Sequence, residues 1–199
     1  MIEQTKQIET SFKELGVSAS ILNVLKSIKI ETPTPIQIKS IPAALTGQDL
    51  VGVAQTGTGK TFAFGIPMIE RLMLEHGQGL VLLPTRELAL QVDENLRKLG
   101  SKLGLRTAAL IGGQAIGSQV QALKRNPHIF ICTPGRLIDH LKRGWVRLDH
   151  IKVLVLDEAD MMFDMGFAPQ LEEIMRQIPK KRQTLLFSAT MPRAILRLA

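Results

Sequence analysis

The chain has 199 residues, 45% hydrophobic and 22% charged, a composition that can bury one sizeable α/β core and lies outside the disordered class. No apolar run reaches membrane-spanning length, no signal-peptide pattern opens the chain, and the single Cys132 cannot form an internal disulfide, so a cytoplasmic setting is expected. The net charge of +7 is unevenly placed: Arg176, Lys180, Lys181, Arg182, Arg193 and Arg197 follow the last acidic residue, leaving 19 basic against 18 acidic residues in 1–175. Total charge is therefore a poor sign of a nucleic-acid groove.

Residues Met1–Thr10 are polar and expected to be loose at their start. After Phe12 and Leu15, Ser18 reads as the N-cap of a helix with Ile21, Leu22, Leu25 and Ile28 on one face. A second helix is expected to start at Thr34-Pro35, to turn Ile38, Ile41 and Leu45 inward and to end before Gly47. Between the two lies Thr32-Pro33-Thr34-Pro35-Ile36-Gln37. The Gln37 amide offers a donor and an acceptor, which the adenine edge complements, although the same string also reads as a plain helix start.

Residues 49–61 are the centre of the sequence. Leu50, Val51 and Val53 read as a buried strand, Ala54-Gln55-Thr56-Gly57-Thr58-Gly59 as a tight turn, and Lys60–Leu74 as a helix whose N-terminus points back at that turn. Backbone N–H groups and the helix dipole there favour an anion. Lys60 adds a charge for the β- and γ-phosphates and the Thr61 hydroxyl can enter a Mg²⁺ shell. The first position of this phosphate loop is Ala54 where the strict pattern has glycine, and a small residue still leaves room for the backbone.

Beyond it, Leu80–Leu83, Thr107–Ile111, Ile129–Cys132, Val153–Leu156 and Thr184–Phe187 read as strands with helical stretches between most of them. One of these stretches, Arg86–Leu103, places Leu88, Val92, Leu96, Leu99 and Leu103 on one face. Apolar strands alternating with helices mean a parallel sheet covered on both sides, with ligands at the carboxyl ends of the strands. Those ends carry Pro84-Thr85-Arg86, Gly112-Gly113, Thr133-Pro134-Gly135-Arg136, Asp157-Glu158-Ala159-Asp160 and Ser188-Ala189-Thr190. Asp157 is placed to hold Mg²⁺ near Thr61, and Glu158 to orient and deprotonate a water attacking the γ-phosphate. Arg86 and Arg136 suit phosphate contacts, though either alone also suits a solvated surface.

In family order over nearly the whole chain, these segments resemble the first RecA-like domain of a DEAD-box RNA helicase. The matching residues are Phe12 and Thr32–Gln37 (the Q motif, in the region 1–47), Ala54–Thr61, Pro84–Ala89, Gly112-Gly113, Thr133–Arg136, Asp157–Asp160 and Ser188–Thr190. The pattern departs at Lys29 and Ile30, where the family has glycine and an aromatic.

The resemblance implies an α/β RecA-like fold over 1–199 with the 1–47 region packed on it. It implies ATP and Mg²⁺ as cofactors, with Phe12 stacking on adenine, Thr32 and Gln37 at the base, and Ala54, Gln55, Thr56, Gly57, Thr58, Gly59, Lys60 and Thr61 around the phosphates. RNA backbone contacts would come from Pro84, Thr85, Arg86, Gly113, Thr133, Pro134, Gly135 and Arg136, and coupling to a second RecA-like domain from Asp160, Ser188 and Thr190. That second domain has no match here, so the chain reads as an excised, monomeric domain with little activity of its own. With aromatics at 4% and no tyrosine, no base-stacking platform can be built, which agrees with sequence-independent RNA contacts. A nucleotide and RNA holder without turnover, and a related translocase acting on DNA or protein, are the other two classes the motifs admit.

Overall fold

The computed structural model describes residues 10–190, so the loose start expected for the first nine residues lies outside the described residues, as does Arg193-Ala194-Ile195-Leu196-Arg197-Leu198-Ala199, which reads in the sequence as a helical stretch. Six strands, β1 (Leu50–Val53), β2 (Gln78–Leu82), β3 (Thr107–Leu110), β4 (Ile129–Cys132), β5 (Ile151–Leu156) and β6 (Gln183–Ser188), form one sheet in the order β1-β6-β5-β2-β4-β3. Every neighbouring pair is parallel. The helices are α1 (Ala19–Ser27), α2 (Pro35–Leu45), α3 (Lys60–Leu74), α4 (Arg86–Gly100), α5 (Ile116–Leu123), α6 (Pro134–Lys142), α7 (Ala159–Asp164) and α8 (Ala168–Met175).

The central strands are apolar at successive positions because both faces are covered. The period of two sorts their side chains: Val81, Ile131, Val153 and Leu185 enter one core with α1–α4, while Leu80, Phe130, Leu154 and Leu186 enter a second with α5–α8. Phe12, Leu15 and Val17 join the first core, which ties the segment before α1 to α3 and α4. No helix among the described residues is long and apolar enough to cross a membrane.

Three expectations change. The strand read as buried, β1, lies at the sheet edge and leaves Val51 45% and Val53 61% exposed. It pairs with β6 alone, and its inward side is held close, because a Cβ on Gly52 would sit 2.6 Å from the Phe187 ring. The helix expected to reach Leu103 stops at Gly100 and tightens into a 3-10 turn over Ser101–Leu103. Ser18 flanks α1, but its hydroxyl caps nothing; instead its N–H donates to Glu70 Oε1 at 2.7 Å. At Lys29, where the resemblance expects glycine, the backbone still takes the left-handed φ of +60°, at a cost of about 1–2 kcal/mol for a residue with a Cβ.

Candidate nucleotide-binding site

A parallel sheet puts the carboxyl ends of all six strands along one edge, and the polar motifs meet there. The turn leaving β1 bends through Gly57 (φ +84°) and Gly59 (φ +95°) into α3. Gly59 also has no room for a side chain, since a Cβ would lie 2.7 Å from Gln37 Nε2 and 2.8 Å from Thr34 Oγ1. At the first turn of α3, the buried Lys60 ammonium donates to Glu158 Oε1 at 2.6 Å and to the Ala54 carbonyl at 3.2 Å, and stands 3.4 Å from Asp157 Oδ1. Thr56 Oγ1 donates to the same Glu158 oxygen at 2.8 Å.

Glu158 is itself held in the left-handed region, at φ +53° and ψ +48°, the kind of backbone strain that surrounding structure must impose. Burial pushes the Asp157 carboxyl up to about 6, with Lys60 pulling it back and Glu158 adding to the rise. A cleft of about 190 Å³ opens between the phosphate loop, these acids and α4, whose Gln91 and Asn95 line it as well. Neither residue had a motif to announce it. Their signal is helical spacing, one turn apart on the side of α4 next to the buried Val92.

Removing Lys60 strands two buried carboxylates. Lys60→Ala is expected to cost about 3–5 kcal/mol near neutral pH. The folded-state pKa of Asp157 already lies above its unfolded value, and losing the cation raises it further. The stability tied to this carboxyl is present below the unfolded pKa and lost as pH rises through the folded one, so the deficit should widen from about pH 4 through and beyond 6. Denaturant titrations at pH 4.5 and 7.5 check this; equal deficits at both would contradict it.

On the base side, Phe12 and Gln37 are both buried. Phe12 is 3% exposed, its ring committed to the core, and the cleft at its edge is formed with Leu22, Ile30 and Glu31 instead. Gln37 is buried and both ends of its amide are engaged: Oε1 accepts from Thr34 N–H at 2.9 Å and Nε2 donates to the Gly59 carbonyl at 3.0 Å. It thus ties the start of α2 to the phosphate loop, while each end keeps one further bonding position. Thr34 Oγ1 is buried without a partner, and a 510 Å³ hollow opens against Thr34, Lys39, Val53, Ala54 and Thr58. Thr32 is exposed beside this segment.

The residues expected at RNA fall into two groups. Arg86, Gly113 and Gly135 are exposed, whereas the side chains of Pro84, Thr133 and Pro134 are buried. Thr85 caps α4, its Oγ1 accepting from Leu88 N–H at 3.3 Å. The Arg86 guanidinium lies over Gly113, where a Cβ would come within 2.1 Å of it, and Arg136 donates to the Gln114 carbonyl at 3.2 Å. Both arginines therefore reach the Gly112–Gln114 turn. Near the nucleotide end, Asp160 accepts from the N–H and hydroxyl of Thr190 at 2.8 and 2.9 Å, and its own N–H donates to Ser188 Oγ at 3.0 Å. Burial works against the Asp160 carboxylate, but hydrogen bonding to Ser188 and Thr190 wins and holds its pKa below the ordinary range.

One buried link was missed by motif reading. Gln119 on α5 donates from Nε2 to the Ile111 carbonyl at 2.8 Å, so its Oε1 accepts from His140 Nε2, 2.9 Å away on α6. Burial first, then Arg136 and Arg143, lower the His140 pKa, so the ring is neutral near pH 7. The available signal was a glutamine at the stripe position of an apolar helix, Ile116-x-x-Gln119-Val120-x-x-Leu123. Gln119→Leu leaves a buried carbonyl and a ring N–H unpaired and is expected to cost about 2–4 kcal/mol, one penalty for each group. A denaturation midpoint unchanged from the parent would refute this.

Comparison with known proteins agrees with the geometry. The chain is 50% identical over 192 residues to the DEAD-box ATP-dependent RNA helicase CshA of Geobacillus kaustophilus, covering 96% of this chain and 41% of that one. It is 49% identical to the Listeria monocytogenes ATP-dependent RNA helicase CshA, of which it covers 37%. The chain thus spans about two fifths of the length of these relatives. Among solved structures, a DEAD box protein from the hyperthermophile Methanococcus jannaschii superimposes with a TM-score of 0.87 at 45% identity, over 95% of this chain and 52% of that one. The family model of DEAD/DEAH box helicases matches residues 34–198, and the chain belongs to that family.

Proposed function

We propose that residues 1–199 are the single RecA-like, ATP-binding domain of an ATP-dependent RNA helicase of the DEAD-box type. The observation that carries this is the meeting of Lys60, Asp157 and Glu158 beneath the phosphate loop. A γ-phosphate seated at the start of α3 competes with Glu158 for the Lys60 ammonium. Once Lys60 turns to phosphate, Glu158 is released as an acceptor for the proton of an attacking water, with Thr56 still beside it to orient the carboxylate.

The donor set suits Mg²⁺. Thr61 and Asp157 face the same cleft, and no cluster of three or more His, Cys, Asp or Glu exists among the described residues, which fits an ion that takes one or two protein ligands and completes its shell with phosphate and water. When bound, the ion neutralises charge on the phosphates. Thr61 and Asp157 would hold it there.

The relatives named above are RNA helicases, and the exposed Arg86, Gly113, Gly135 and half-buried Arg136 support RNA held by its backbone at the carboxyl edge. Helix starts at α4 and α6 add N–H donors. Asp160, Ser188 and Thr190 would relay nucleotide state to a second RecA-like domain. Alone, the domain is expected to be monomeric and, within the cell, cytoplasmic.

Base choice tests the nucleotide reading. With one hydrogen-bonding position left at each end of the Gln37 amide and the Thr34 hydroxyl beside the loop, the chain should bind ADP more tightly than GDP, and Gln37→Ala should remove most of the difference, worth about 1–3 kcal/mol. Calorimetry giving equal affinities for the two nucleotides would end the adenine assignment.

A further inference from the structure

The basic run that follows Arg176 acquires a place in the fold. Because all strand pairs are parallel, the connections entering β3, β4, β5 and β6 lie at the amino edge of the sheet, opposite the phosphate loop. These connections, residues 101–106, 124–128, 143–150 and 176–182, hold ten Lys or Arg and one acid, Asp149. The other two connections at this edge, 46–49 before β1 and 75–77 before β2, add the acids Asp49 and Glu75, and the rest of the described residues carry twelve basic against thirteen acidic residues. Among the described residues the net positive charge is therefore a property of this edge.

The connections adjoin one another. The Arg106 guanidinium donates to the Arg125 and Asn126 carbonyls at 2.8 and 3.0 Å. Gln78, at the start of β2, bonds through its N–H to the His150 carbonyl at 2.9 Å and through its side chain to the Pro127 carbonyl at 3.1 Å. Pairing of Val153 with Gln183 brings Lys180–Arg182 alongside. From β6 to β3 this row crosses four strand spacings, about 19 Å. Arg147 is paired to Asp149 at 3.0 Å, but Lys124, Arg125, Lys180 and Lys181 make no ion pair among the described residues and are exposed.

The chemistry of the row favours a phosphate backbone over a protein. Protein interfaces are built round an apolar centre, and Trp145 is the only exposed large apolar side chain in these four connections. Its ring is already flanked by the Arg143 guanidinium at 5.1 Å and the His140 ring at 5.6 Å. Unpaired cations at strand spacing need only phosphates.

We propose that the amino edge of the sheet is a second RNA track, which holds a strand by its phosphates independently of nucleotide and of the motifs at the carboxyl edge. It rests on RNA being the substrate class. The test uses a labelled 30-nucleotide oligouridylate and the chain as it stands. Arg125→Glu/Lys180→Glu/Lys181→Glu should lower affinity at least tenfold and reduce the salt slope by about 2, as expected for three lost phosphate contacts on a single strand. Arg86→Ala/Arg136→Ala should lower affinity by itself, and the triple variant's tenfold loss and reduced salt slope should appear in full on top of it. Since Cys132 is buried, a photoreactive group on Lys181→Cys should crosslink the RNA, and the same group on Lys13→Cys should not.

Unchanged affinity and slope in the triple variant, or no crosslink at Lys181→Cys, overturns the second track. If RNA binding is lost only in the Arg86→Ala/Arg136→Ala variant, the carboxyl-edge reading survives and this one fails. If an acidic peptide but not RNA is captured in a Lys181-dependent way, the edge belongs to a protein and the RNA track is likewise wrong.

Discussion

Glu158→Gln, placed in a chain extended by a second RecA-like domain, is expected to keep ATP bound while the hydrolysis rate falls by about 10²–10⁴, the usual contribution of a positioned general base. Glu158 Oε1 is the shared acceptor of Lys60 and Thr56. A glutamine in its place can offer its carbonyl oxygen to the same donors, so the loop and the Lys60 position should be retained. What it cannot do is take a proton. The effect should therefore appear in turnover, with ATP affinity within a few-fold of the parent. Single-turnover hydrolysis beside equilibrium ATP binding separates the two quantities. A Glu158→Gln protein hydrolysing at the parent rate moves the base elsewhere, and one that no longer binds ATP makes Glu158 a structural anchor of the loop.

The parts of the molecule legible in the sequence are those with local causes. β4 over Ile129–Cys132 and α3 over Lys60–Leu74 have the expected bounds because an apolar run stopped by Thr133-Pro134, and a glycine turn followed by helix formers, are complete signals in themselves. The parallel α/β class follows from their alternation. What was not legible depends on partners far along the chain. The exposure of Val51 and Val53 is decided by the pairing of β1 with β6, some 135 residues later. The burial of Phe12 is decided by a core it shares with α1, α3 and α4. Gln37 shows both sides: its value as an amide was visible, but its bonds to Thr34 and Gly59 exist only once α2 is docked on the phosphate loop. Lys60, Asp157 and Glu158 were foreseen as separate motifs, and the fold adds that the Lys60 ammonium stands between both carboxylates.

The same geometry sets what the 199-residue chain does by itself. Charge that develops on the transferred phosphoryl group needs a cation on its outer side as well as Lys60 within, and in P-loop enzymes a missing arginine finger costs about 10³–10⁵ in turnover. Among the described residues, no arginine lines the cleft at the phosphate loop. Arg86 is laid over Gly113 and Arg136 is turned to the Gln114 carbonyl, both at the other end of the strand edge. The finger is therefore expected to come from outside the described residues. The chain is expected to bind adenine nucleotide and to hydrolyse ATP at least about 10³-fold more slowly than the completed protein with RNA present. It is expected to separate no duplex, because one RecA-like domain would hold RNA from one side only. Hydrolysis measured at saturating ATP for the chain and for the completed protein decides the matter. Turnover by the chain within tenfold of the completed protein would mean that residues 1–199 already contain the missing cation, and the first place to look would be Arg86 released from Gly113.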